Sequence, residues 1–404
     1  MSSRLAIFIA ILGAAPGPFL RLTGIDLGTV ADTSLFGLSI VSSAFLLSWA
    51  AEASEVEIAQ GLAVAFIALI AVLPEYAVDM TFAWKAGTDP EYAQYAVANM
   101  TGGNRLLIGV AWPLIYFLFW YRTRKTVLRL ERGHAVEIVA LSAATIYSFT
   151  IPLKQSISLI DTVILGVLFI VYVYIIARAP AEEPELVGPA QTIGTLPRPQ
   201  RRAAILGLFT VAAVSIFLSA EPFAEGLIHS GTQLGIDEFL LVQWLAPFAS
   251  EAPEFLVAGI LAWRGRATVA MGALLSSKVN QWTLLIGGLP IAYALSNGSL
   301  DGLPLDLRQE EEIFLTAAQS FFAVAVLTSL SLNAKEAFML LGLFMAQFLI
   351  PVEELRMVIA VIYVLLGLFF FARERGDIMN ILRLSKQAYK DPNSLAAEHE
   401  ETVV

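Results

Sequence analysis

No cysteine occurs anywhere in the 404-residue sequence, so disulfides and thiolate-bound metals are excluded and the redox compartment stays open. Histidine is almost as scarce. His134 and His229 flank apolar blocks and His399 lies in the tail, which excludes a histidine-built metal centre, and no cofactor is expected. Only 15% of the residues are charged against 57% hydrophobic, and the mean hydropathy of +0.71 exceeds what a water-soluble surface can carry. The net charge of −10 comes largely from loops and the tail, and no basic aromatic stripe is present, so nucleic acid is excluded as a partner. Strict apolar alternation is absent too: the runs 157–176 and 355–371 are unbroken, which argues against a β-barrel. There is no His-Glu-x-x-His, no recognisable catalytic aspartate pair and no convincing Ser/Lys dyad outside the repeats described below, so an intramembrane enzyme is not expected.

What is present is about twelve apolar blocks between residues 4 and 373, most of them close to the roughly 20 residues a helix needs to cross a bilayer. The chain therefore reads as an all-α, multi-pass membrane protein whose immediate partner is the lipid bilayer. Basic residues fall on alternate loops: Arg122, Arg124, Lys125, Arg129 and Arg132, then Arg198, Arg201 and Arg202, then Arg264 and Arg266, then the stretch after Arg373. The opposite loops hold few cations and carry acids, with Glu310, Glu311 and Glu312 read as external. The positive-inside rule then puts both termini in the cytoplasm, in a cell inner (plasma) membrane. The proline-rich stretch 179–202 reads as a cytoplasmic linker, and the polar tail after Lys386 as disordered.

Two segments resemble each other. Leu73-Pro74-Glu75 through Trp84 recurs as Ala252-Pro253-Glu254 through Trp263 with the same internal spacing, and Leu106-Leu107-Ile108-Gly109 recurs as Leu284-Leu285-Ile286-Gly287, one residue out of step. The predicted orientation makes the copies antiparallel. The organisation is then an extra N-terminal helix and loop (1–33), a first inverted repeat of about five spans (34–178), the linker (179–202), a second repeat (203–351), and an extra helix with tail (352–404), a layout whose binding site lies at the repeat interface.

A mid-helix proline frees a carbonyl of the preceding turn, so Pro74 and Pro253 expose backbone oxygen beside Glu75 and Glu254, a combination suited to hard cations. Charges at mid-bilayer cost about 2.5–3.5 kcal/mol each even on the lenient insertion scale. This chain spends that cost on Glu75, Asp79, Glu251, Glu254, Lys278 and Arg105, which demands a shared, hydrated interior. Glu75 with Asp79 and Ser250 with Glu254 are spaced i,i+4, and Glu251 with Glu254 i,i+3, so each group shares a helix face. On the following helices Asn99, Thr101, Gly102, Gly103 and Asn104 answer Ser276, Ser277, Lys278, Asn280 and Gln281. Small-residue packing with polar glue remains an alternative for Gly102, Gly103 and Ser276.

These paired Pro-Glu helices, each followed by a polar helix ending in Leu-Leu-Ile-Gly, resemble the α-repeats of the calcium/cation antiporter superfamily, best known for the sodium/calcium exchangers. The resemblance implies alternating access, with Glu75 and Glu254 as central carboxylates and the following helices, which carry Asn99, Asn104, Ser277 and Asn280, completing a site for a transported cation; Ser250 and the additional carboxylate Glu251 are read into the site from the face they share with Glu254. Ca2+, Na+ and H+ are the ions it implies. The family's Gly-Thr-Ser before the first Pro-Glu is Ile70-Ala71-Val72 here and Ala249-Ser250-Glu251 in the second copy, and its second Gly-Ser-Asn stretch is Ser277-Lys278-Val279. Lys278 is therefore expected to act as an ion surrogate beside Glu251 or Glu254, with Asp79 as a second coupling group. A cation antiporter is the leading reading, a channel or non-transporting sensor of the same fold the alternative. Self-association into a homo-oligomer is left open.

Overall fold

The computed structural model describes residues 2–54, 56, 73–178, 186–350 and 352–392, apart from the side chain of Pro253. Most of the third apolar block, Ile70 to Val72, the start of the expected linker, and the tail with His399 lie outside the described residues.

Helix dominates, as hydropathy requires: a chain in lipid must satisfy each backbone N–H and C=O within its own segment. Seven helices among the described residues are long and apolar enough to cross a membrane, or eight if Glu238–Ala252 and Glu254–Trp263, bent by 55° at Pro253, make one span. The bend falls where the sequence places its second mid-helix proline. The expected count of about twelve exceeds this because several apolar blocks are short or interrupted by polar groups. Ala334–Leu349 has only 16 residues, Leu307–Leu327 opens on a charged turn, and Ala267–Asn280 carries Lys278.

The chain divides into two compact units. The first comprises Met1–Gly103, Glu182–Leu256 and Ala292–Ser299. Its centre is the pairing of the 37-residue helix Arg198–Leu234 with Thr29–Ser54, covered by Ser3–Ala14 and Pro16–Thr23. Ala10, Ala14, Ala50, Ala51 and Ala212 let these helices approach closely. Hydroxyls bridge the seam: Ser39 Oγ accepts from the Gly17 N–H at 2.7 Å, and Ser215 Oγ donates to the Ala14 carbonyl at 2.8 Å. This is the pattern expected where lipid offers no hydrophobic drive and contact must come from small residues and interhelical hydrogen bonds.

The second unit comprises Asn104–Ala181, Val257–Ile291 and Leu300–Val404. Leu307–Leu327 packs on Glu353–Arg373 and on Ala135–Ser148. Two short antiparallel ladders pin helix ends, Val127–Arg129 against Ser331–Asn333 and Ser156–Ile157 against Leu303–Pro304.

Three expectations change. Glu312 is not an external loop acid: it is 1% exposed within Leu307–Leu327 because it neutralises a buried arginine. The described part of the linker contains a short helix, Gly188–Gly194, with Ala190 and Ile193 buried. The polar segment beyond Lys386 is helical to Lys390, since Leu384 and Ala388 find an apolar surface to cover.

Candidate cation-binding site

In the first unit, the helix Leu73–Ala86 carries Glu75 and Asp79 one turn apart, both buried. Asn99, on the helix Ala93–Leu106, donates its side-chain amide to Asp79 Oδ1 at 2.7 Å. Asp79 Oδ2 and Asn99 Oδ1 are buried without a hydrogen-bond partner among the described residues. Two such oxygens on one hydrogen-bonded pair are costly unless an ion, a proton or water completes them.

Glycines shape the remainder of this cluster. A Cβ on Gly102 would stand 1.7 Å from the backbone carbonyl oxygen of Gln243, so the helices Ala93–Leu106 and Glu238–Trp263 approach to backbone contact there. One residue on, a Cβ on Gly103 would lie 2.5 Å from Glu251 Oε1 and 3.0 Å from Glu75 Oε1. The two carboxylates thus converge on the bare backbone of Gly103 from opposite copies of the repeated motif. Glu75 and Glu251 are each 2% exposed. Glu254 is only half-buried, one turn beyond Glu251. The Ser250 hydroxyl donates to its own helix, to the carbonyls of Ala246 and Pro247, and Thr101 does the same to Val97 and Ala98. Their lone pairs, not their protons, are what they can offer a cation.

In the second unit, Lys278 is fully buried. Its Nζ donates to Asn104 Oδ1 at 2.6 Å and to the Asn104 carbonyl at 3.2 Å, and lies 4.4 Å from the centroid of the Trp282 ring. Asn280 and Gln281 are buried beside it in sequence, whereas Ser276 and Ser277 are half-buried and Ser276 shares a 2.6 Å hydrogen bond with Tyr172.

Sequence reasoning missed two features. Each polar helix runs into a π-helical turn, Leu107–Ala111 in the first copy and Gln281–Leu285 in the second, a rare distortion that frees backbone groups and is frequent at functional sites. The other is a buried charge network in the second unit. Arg105 pairs with Glu312 at 2.5 Å and donates to Gln347 at 3.3 Å, while Arg356 meets Glu312 at 3.4 Å and Glu311 at 3.6 Å. Arg105 was legible as a buried charge; its partners, far away in the chain, were not.

Among the described residues no three His, Cys, Asp or Glu side chains gather as a metal cluster. The donor set is instead a few carboxylates among amides, hydroxyls and backbone carbonyls, which is oxygen-rich and suited to hard cations. The sequence profile of the sodium/calcium exchanger proteins matches residues 33–178 and 204–352. The chain belongs to the sodium/calcium exchanger family. Within that family, the chain is 43% identical to CAX, an H+/Ca2+ exchanger of known crystal structure, with a TM-score of 0.92 covering 96% of this chain and 98% of that one. The fold extends to native YfkE (18% identity, TM-score 0.62, covering 89% of this chain and 99% of that one). It extends also to the sodium-calcium exchanger NCX_Mj (17%, TM-score 0.51, covering 80% and 98%). CaxA of Alkalimonas amylolytica, whose name calls it an antiporter, is 32% identical over 88 residues, 21% of this chain and 28% of that protein.

Proposed function

We propose that this exchanger-family chain is a secondary antiporter that moves calcium in one direction and protons in the other by alternating access. The observation that carries the reading is the convergence of Glu75 and Glu251 on Gly103. Two buried carboxylates offset the two charges of a calcium ion. When the ion leaves, two protons restore the same neutrality, so the loaded and exchanged states cross the membrane at similar electrostatic cost. The likeness to an H+/Ca2+ exchanger over nearly the whole chain supports this choice of ions. The two profile blocks, 33–178 and 204–352, support the reading of residues 34–178 and 203–351 as two copies of one repeat.

Asp79 with Asn99 serves as a second proton-accepting point one turn from Glu75. Glu254 and Ser250 add oxygen donors in the first unit, and Ser277 and Asn280 are further oxygen donors in the second. Lys278 acts as a tethered cation: its ammonium lies on the two Asn104 oxygens, donors of the kind a mobile ion would use.

The test is counter-flow in proteoliposomes with calcium, sodium and pH gradients imposed separately. Saturable calcium uptake driven by an opposing proton gradient supports the proposal. Uptake that needs no counter-ion would favour a channel, and dependence on sodium alone would replace the proton as coupling ion.

A further inference from the structure

We propose that the outward face of the helix Arg375–Lys390 is a binding surface for anionic phospholipid headgroups of the bilayer this chain spans. The helix follows the last apolar span, Glu353–Arg373, after the single residue Glu374, whose N–H bonds the Phe370 carbonyl at 2.9 Å and whose carbonyl accepts from Asp377 N–H at 3.0 Å. So tight a turn starts the helix directly at the end of a candidate membrane span. One side is taken by protein: Ile381, Leu384, Ser385 and Ala388 are buried, and the helix packs on Ala135–Ser148 and Arg132–His134. Arg178 holds its far end by donating to the Tyr389 carbonyl at 3.2 Å.

The opposite side carries Arg375, Met379, Leu382, Arg383, Lys386 and Lys390, at i, i+4, i+7, i+8, i+11 and i+15, which is one stripe of an α-helix. All six are exposed, Met379 at 68% and Leu382 at 48%. The one acid of the helix, Asp377, falls on the protein side and is half-buried. The stripe is thus all cationic with two apolar side chains set between the cations. In water that arrangement has unneutralised like charges and two wetted apolar groups. Against an anionic leaflet both problems disappear, because Met379 and Leu382 enter the headgroup boundary while lysine and arginine stems reach the phosphates.

Because the chain has no cysteine, Met379→Cys in the full-length protein can be labelled uniquely with a polarity-sensitive fluorophore. In phosphatidylcholine vesicles containing phosphatidylglycerol the emission should shift to the blue and be quenched by lipid spin-labelled near the headgroup, and added salt should reverse both. In phosphatidylcholine alone neither should occur. Each single replacement among Arg375→Gln, Arg383→Gln, Lys386→Gln and Lys390→Gln should weaken the phosphatidylglycerol response by about fivefold, the effect of one basic residue near an anionic surface. Identical emission in the two lipids would overturn the proposal. So would emission that ignores lipid but shifts when Glu398, Glu400 and Glu401 are changed to Gln, since the chain's own tail would then be the occupant.

Discussion

Asn99 donates to Asp79 Oδ1 across 2.7 Å and leaves Asp79 Oδ2 open in a buried setting, one turn from Glu75. An oxygen in that position is completed by a proton, a cation or water, and the proposed role for Asp79 takes the first. Asp79→Asn removes the competition, so calcium uptake should be inhibited less steeply as pH falls, with a higher KM for calcium. Uptake measured across a pH series checks this, and a superimposable pH profile would sink the role given to Asp79.

Glu75→Gln, Glu251→Gln and Glu254→Gln keep side-chain shape and remove one charge each. Removing one partner of a buried charge pair costs about 2–5 kcal/mol of binding, so exchange should fall by about a hundredfold while folded protein is still recovered by size-exclusion chromatography. Near-normal flux in Glu75→Gln or Glu251→Gln would remove the core of the proposed mechanism.

Gly102→Ala and Gly103→Ala are neighbours with different expected outcomes. The first drives a methyl into the Gln243 backbone carbonyl, which cannot yield, and should cost about 1–3 kcal/mol or more, seen as a lowered melting temperature in detergent. The second meets the ends of the Glu251 and Glu75 side chains, which can rotate away. Its effect should therefore appear as a raised KM for calcium with a nearly unchanged melting temperature.

Arg105→Ala takes the nearer guanidinium from buried Glu312, which keeps its contact with Arg356; breaking a buried pair costs about 3–5 kcal/mol, and the remaining contact places the loss toward the lower end. Replacing both partners, Arg105→Met with Glu312→Leu, leaves no unpaired charge from that pair and should recover much of the loss. Thermal unfolding of the two proteins compares them, and equal destabilisation would show that the pair is not what holds these helices.

Lys278→Met removes the tethered cation from the Asn104 oxygens. The number of protons exchanged per calcium, or the pH dependence of exchange, should change, read from reversal potentials in liposomes. A protein that is merely less stable, with coupling intact, would make Lys278 a structural brace.

Membrane class, helical build and the identity of the charged candidates follow from the sequence itself, because hydropathy and spacing are local properties and a charge inside an apolar block is conspicuous wherever the chain goes. The repeated Pro-Glu motif likewise marks Glu75 and Glu254 without coordinates. Only tertiary structure decided that Glu251 and Glu75 both close on Gly103, that Gly102 is needed for a backbone contact with Gln243, and that Glu312 is the buried counter-charge of Arg105 instead of an external acid. Each of those is a pairing between helices remote in sequence. Periodicity reports which face of a helix is polar, but the partner that face finds depends on how the helices pack, which no local spacing encodes.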